Sequence, residues 1–202
     1  MTPDAARDIA LGAISANDAG TSDFDLNKGL TRPIPKDLRP AAVLFAIDVS
    51  QKDPSVLLTK RASHLKHHPG QIAFPGGKLD DADAGSPIVA GLREAREEIG
   101  LPPDNVEVLG TLPPHETVTN FQVTPVIGLV KEAFTIQTEP GEVEEAFRVP
   151  LSFLQVPSNY AVQWRIWNGE KRYYYVVPFG PYYIWGATAR MLKSFADRVA
   201  VL

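Results

Sequence analysis

The sequence contains no cysteine. That excludes disulfides, thiolate zinc sites and a cysteine nucleophile, and it leaves the redox compartment undetermined. No apolar run approaches the ~20 residues needed to span a bilayer, and the start, MTPDAARDIALGAISAND, carries acids where a signal peptide carries bases. Positive charge is not in excess either: 20 lysines and arginines stand against 24 aspartates and glutamates, a formal net charge of −4. Bulk electrostatics therefore do not favour a polyanion such as nucleic acid. A phosphorylated ligand would have to be met by local basic residues or by a metal. Internal repeats and low-complexity tracts are lacking as well. The expectation is a cytoplasmic protein with neither nucleic acid nor membrane as partner.

What the chain does have is 202 residues, 44% of them hydrophobic, enough for one well-buried core with an extension. Residues 1–38 combine a short helical candidate around Ala5 to Ile14 with turn- and proline-rich stretches, and read as a peripheral helix and a connecting arm. The domain proper occupies residues 39–202. AAVLFAIDV and SVLLTKR look like strands joined by the turn SQKDP, and NVEVLGTLPP, FQVTPVIGLVKEAF, YAVQWRIW and RYYYVVPF read as further strands. A short helix is expected near Glu142 to Phe147. A longer one is expected from Trp185 to Val199, where apolar residues recur at helical spacing. Interspersed helices with several strands in succession imply an α/β protein with a mixed sheet.

The stretch GLREAREEIGL, residues 91–101, carries the chemistry. Ser86 and Pro87 suit a helix start, Gly100 a helix stop. Between them Ile88, Leu92, Ala95 and Ile99 form an apolar stripe expected to face a sheet. Glu94, Glu97 and Glu98 stand at i, i+3 and i+4, on one flank. Arg93 lies one turn before Glu97, where an ion pair would orient that acid. Alone, such a segment is also what an exposed, salt-bridged helix carries. Upstream, however, AFPGGKLDDADAG supplies a glycine pair and three aspartates. Glycines allow close backbone approach to a metal or phosphate, and clustered carboxylate oxygens suit a hard dication.

Gly77, Asp83 and Arg93-Glu94-Ala95-x-Glu97-Glu98-x-Gly100-Leu101 resemble the Nudix box of hydrolases that cleave a diphosphate linked to another moiety. Asp83 stands in place of the usual glutamate, and the gap to Arg93 is two residues longer than in the standard box. Both departures resemble the coenzyme A pyrophosphatase subfamily. So does the preceding LLTKRASHLKHHPGQIAFPGG, in which Ala62 replaces that signature's serine and Lys66 its arginine. FQVTPVIG, EVEEAFRVPL and IWGATARML extend the likeness, which runs from about Val43 to Leu192.

The resemblance implies a Nudix-type α/β/α sandwich around a mixed β-sheet and a metal-dependent diphosphatase using Mg2+ or Mn2+. Carried over by position, Glu97 and Glu98 are metal ligands, Glu94 a ligand or the group that orients the attacking water, and the Gly77 carbonyl a further ligand. Arg93 orients an acid of the set. Asp83 is either an outer ligand or a cap of the helix that follows, with capping or loop structure the preferred role. Glu142 and Glu145 are candidates for the general base, preferred over Glu144, although acids at a helix N-terminus would account for them equally. Arg61, Lys66 and His68 are expected to hold the phosphates of a substrate with an additional 3′-phosphate. Asn120, where relatives often carry glycine, is expected at positive φ. Gly91 is expected to mark close packing of its helix. The aromatic run RYYYVVPFGPYYIW either stacks a base or fills a core, the second being the commoner use. The partner expected is small, coenzyme A or a derivative, and analogy with other mixed α/β proteins suggests a homodimer.

Overall fold

The computed structural model describes residues 1–16, 19–29, 38–167 and 169–201. Part of the expected connecting arm, residues 17–18 and 30–37, lies outside the described residues. The elements are α1 (Pro3–Ser15), β1 (Thr21–Ser22), β2 (Arg39–Asp48), β3 (Ser55–Arg61), β4 (Ile72–Ala73), β5 (Gly76–Lys78), α2 (Pro87–Ile99), β6 (Val106–Thr111), β7 (His115–Glu116), β8 (Phe121–Val130), β9 (Val143–Pro150), α3 (Leu151–Leu154), β10 (Ala161–Trp167), β11 (Glu170–Val176) and α4 (Gly186–Val199).

β2 is apolar almost throughout, as a strand covered on both faces must be. It runs parallel to β8 from Arg39 opposite Phe121 to Asp48 opposite Val130. Its other edge is shared, pairing antiparallel with β5 near its start and with β3 at its end. β8 continues antiparallel to β6 and β7, and β3 to β9 and β4. The described residues thus form one nine-stranded mixed sheet, with β10 and β11 as a separate hairpin.

Alternation along β2 builds both cores. Phe45 and Ile47 point to the face covered by α1 and α4, where the Phe45 ring lies 5.0 Å from Phe74 and 4.8 Å from Phe195. Leu44 and Ala46 point to the opposite face, against Ala95 and Ile99 of α2. The result is an α/β/α sandwich. α1 contributes Ala6, Ala10 and Ala13, all fully buried, to the first of these cores. No helix among the described residues is long and apolar enough to cross a membrane.

Two local expectations are corrected. The segment Glu142 to Phe147 is not a helix: from Val143 it is strand β9, paired along the whole of β3. That pairing supplies backbone partners along β3, a demand that a local reading of EVEEAF does not reveal. The stripe expected for α2 holds at Ala95 and Ile99, with Leu92 packed against the same core, but not at its first position. Ile88 is 36% exposed, and the buried face is Ala90, Gly91, Ala95, Glu98 and Ile99. An acid therefore belongs to the inward stripe.

The helix ends match their sequence signals. Ser86 Oγ accepts from Val89 N at 3.4 Å, Pro87 takes the first helical position, and Gly100 closes the helix at φ +69°. Asn120 adopts φ +63°. Gly91 is buried, yet a Cβ added there would meet nothing nearer than Val126 Cγ2 at 3.5 Å, an ordinary van der Waals contact. Its packing does not require glycine. We therefore expect Gly91→Ala to raise the free energy of unfolding by up to ~1 kcal/mol through helix propensity. A urea midpoint unchanged or lowered relative to the parent would contradict that expectation.

Candidate active site

The site begins with a turn. Asp80 caps the short 3-10 turn 81–83, and Asp83 returns the bond by accepting from Asp80 N at 2.9 Å. Asp83, whose side chain is wholly enclosed, then grips Arg93 of α2 through two parallel bonds, Nε to Oδ1 at 3.0 Å and Nη2 to Oδ2 at 2.9 Å. The remaining Nη1 donates at 3.0 Å to Glu94 and at 3.0 Å to Glu97. Arg93 thus spans the turn and the acid flank. Its bonds hold the Asp83 carboxyl below the usual carboxylate range, and Asp83 in turn holds the guanidinium still more firmly charged.

Gly76 and Gly77 pass beneath the acids on β5. A Cβ on Gly77 would lie 2.4 Å from Glu94 Oε1, so any side chain there would displace that carboxylate. Gly76 N donates to Glu98 Oε2 at 3.3 Å. Glu98 is 4% exposed. Burial pushes its carboxyl up to about 8, against the Gly76 bond and the charge of Arg61, while Glu94 and Glu142 push the same way. Glu94 is raised too, chiefly by burial, against its bond from Arg93.

Glu142 reaches this neighbourhood because its loop is docked on the end of α2. Gln137 N bonds Ile99 O at 3.1 Å, Glu139 N bonds Glu98 O at 3.0 Å, and Glu142 O accepts from Ala62 N at 2.8 Å. Glu142 is exposed, and its charge bears on both Glu94 and Glu98. Glu145 instead accepts from the Tyr182 hydroxyl, and Glu144 pairs with Lys60 at 2.6 Å. Of the three loop acids, only Glu142 joins the cluster. Because the segment is a strand, its acids do not serve a helix dipole.

Glu97 is the outermost acid of the helix, its side chain 59% exposed and engaged by Arg93. Among the described residues no three His, Asp or Glu side chains are gathered into a ready metal cluster. The donors nevertheless have the right chemistry for a hard dication: Glu94 and Glu98 are carboxylates whose burial and mutual charge oppose ionisation, and a cation would relieve both.

Arg61 links this cluster to a cleft of about 330 Å³. It ends β3, and its Nε is buried with no hydrogen-bond partner. His68, at φ +55°, and Gln71 share its wall, whereas Lys66 is exposed and does not line the cleft. The opposite wall comes from the β10–β11 hairpin and the segment before α4: Arg172, Tyr174 and Trp185 belong to the aromatic run weighed for base stacking, whereas Arg165 and Trp167 were not anticipated from sequence. The aromatic run therefore does more than fill a core. Alternation along the paired strands places Arg165, Trp167, Arg172 and Tyr174 on one face, a signal that becomes legible once the register is known. Beside them Asp23 faces buried His115 at 3.4 Å and accepts from Val118 N at 2.9 Å.

Comparisons with known proteins bear on the family and the fold. The NUDIX domain model matches residues 37–167. The chain is 39% identical over 192 residues to "Uncharacterized Nudix hydrolase NudL" of Enterobacter sp. (strain 638), covering 93% of this chain and 99% of that protein. It is 40% identical over 163 residues to the protein of the same name from Escherichia coli (strain K12), covering 81% and 84% respectively. Among solved structures, the MutT protein from Methanosarcina mazei Go1 matches with a TM-score of 0.50 at 17% identity, over 82% of this chain and 97% of that one. At that identity the likeness shows the fold alone.

The bracket around Arg93 has a pH signature. A carboxyl held below its ordinary value contributes stability above that value, about 4, and loses it as the pH falls through the lower folded one. Asp83→Asn removes this contribution. In acid titrations followed by circular dichroism, the parent should lose stability more steeply than Asp83→Asn below pH about 4; equal slopes would show that Asp83 is not bracing the helix.

Proposed function

The chain belongs to the NUDIX domain family, and from that premise we propose that it is a metal-dependent hydrolase cleaving the diphosphate of coenzyme A or its thioesters. The products are 4′-phosphopantetheine, or its acyl form, and adenosine 3′,5′-bisphosphate. One observation carries the reading: the segment that resembles the coenzyme A signature meets the acid helix in space. Its glycine pair passes under Glu94 and Glu98, while its Arg61 and His68 line the adjoining cleft.

In this reading Glu98, Glu94 and the Gly77 carbonyl hold Mg2+ or Mn2+, with Glu97 as a further ligand from the same helix. The ion would neutralise diphosphate charge and lower the pKa of water. The chain's own groups do the rest. Arg93 keeps Glu94 and Glu97 aligned, Arg61 faces the substrate's phosphates, and Glu142 is assigned as the base that takes a proton from the attacking water. Lys66 and Glu145 have lesser places: the first is outside the cleft, and the second is occupied by Tyr182.

A panel of coenzyme A, dephospho-coenzyme A and ADP-ribose, assayed with Mg2+ or Mn2+ and product identification, tests the substrate. Coenzyme A should have the highest kcat/KM; a preference for ADP-ribose would move the reading to another nucleoside diphosphate derivative. Glu98→Gln should lower kcat by about 100-fold or more and leave the melting temperature unchanged or higher, because burial opposes the charge it removes. A variant as active as the parent would remove Glu98 from the catalytic machinery, and a parent inactive on every diphosphate tested would favour a non-catalytic binding role.

The homodimer suggested by analogy has a surface available. β10 is exposed along its length, with Val162, Trp164 and Ile166 outward. If a second copy covers it, light scattering should give twice the chain mass, and Ile166→Asp should halve that value. A parent that scatters as a monomer at high concentration ends this part of the reading.

A further inference from the structure

Arg165 and Arg172 are direct cross-strand partners on the β10–β11 hairpin, and both line the cleft. Like charges opposite one another weaken a strand pair. Here little offsets the repulsion. Arg165 has no carboxylate within 4 Å among the described residues, and Arg172 has Asp23 at 3.8 Å, a group already engaged by Val118 N and facing His115. Arg172 is 9% exposed; burial, and after it the neighbouring Arg165 charge, lower its pKa despite Asp23. Each guanidinium instead rests on an indole, Arg165 over Trp185 and Arg172 over Trp167, each 4.5 Å from the ring centroid. A guanidinium carbon held over an indole face leaves N–H groups available to donate.

We infer that Arg165 and Arg172 form a clamp for a phosphomonoester borne by a nucleoside, seated in the cleft with its base among the aromatic side chains. A dianionic phosphate between two guanidinium groups accepts charge-assisted bonds from both and removes their repulsion. Trp167, Tyr174 and Trp185 supply the flat surfaces that a base requires. This deepens the reading of the site given above and rests on it: the clamped group is the phosphomonoester that distinguishes coenzyme A from its dephospho form. It moves that task from Lys66 to the hairpin.

The chain has three tryptophans, all near the clamp by position (Trp164, Trp167 and Trp185), so their fluorescence reports binding without turnover. Adenosine 3′,5′-bisphosphate, titrated without added divalent ion, should quench it saturably. Adenosine and inorganic phosphate should each bind about tenfold or more weakly, the first lacking the charge and the second the base. Arg165→Gln, an exposed position, should weaken bisphosphate binding about tenfold or more with an unchanged melting temperature, and Arg165→Lys should restore it only in part. Adenosine binding as tightly as the bisphosphate, or Arg165→Gln binding it like the parent, overturns the clamp. Inorganic phosphate competing as strongly as the bisphosphate also overturns it, since the nucleoside would then play no part. These readouts are separate from hydrolysis: coenzyme A cleavage without bisphosphate binding removes the clamp alone, and bisphosphate binding without cleavage of any diphosphate removes the proposed reaction and leaves the clamp.

Discussion

Arg93 has one guanidinium and four carboxylates within 4 Å, Asp80, Asp83, Glu94 and Glu97, and the geometry around the acid helix follows from how it divides itself among them. Two of its nitrogens are committed to Asp83, and the third nitrogen's hydrogens are shared by Glu94 and Glu97. Asp83 can serve as the anchor because its turn encloses it and gives it a backbone donor as well. A bidentate pair sets orientation as well as distance. The carboxylates that Arg93 holds are therefore placed by a loop fifteen residues or fewer upstream, and that loop is placed by them. Lysine has neither the planar fork nor the number of donors for this arrangement.

With Glu94 and Glu97 aligned by Arg93, Glu98 is left as the acid that faces inward. It sits on the same stripe as Gly91, Ala95 and Ile99, where a neutral residue would be easier to bury. Its only backbone donor among the described residues is Gly76 N, and Glu94 and Glu142 add repulsion. A helix whose acids served only solubility would have turned this one outward. The inward carboxylate and the glycine pair make one arrangement: without the missing side chain at Gly77, Glu94 has no room, and without β5 so close, Glu98 has no donor.

Much of this was legible in the chain itself, for local reasons. The limits of α2 are set by Ser86, Pro87 and Gly100, side chains that act on their own helix ends, and α4 follows from its apolar period. The Nudix-like spacing of Gly77, Arg93 and the glutamates located the acid cluster because a helix and an adjoining turn bring such residues together with little help from the rest of the chain. What failed depended on distant partners. Val143 and Phe147 fit a helical spacing, but β3 needs a strand beside it and takes β9. Ile88 was placed inward by period alone, whereas the sheet receives the neighbouring face of the helix, with Glu98 on it. Lys66 and His68 look equivalent in the sequence, yet only His68 lines the cleft.

The hairpin shows the same limit most sharply. In the sequence Arg165 and Arg172 are two surface-type residues seven apart, separated by a turn. Pairing sets them side by side, and among the described residues the acid beside them, Asp23 at 3.8 Å from Arg172, is already engaged by Val118 N and faces His115. Arg61, whose charge is felt by Glu98 while its Nε lies without a partner at the edge of the same cleft, connects the two halves of the molecule's chemistry. The carboxylates at one end of this span, outside the cleft's own lining, oppose their own ionisation; the guanidinium groups at the other end, inside it, oppose each other. Each end is costly alone, and a ligand anionic along its length, met by a cation at the acidic end, would relieve both at once.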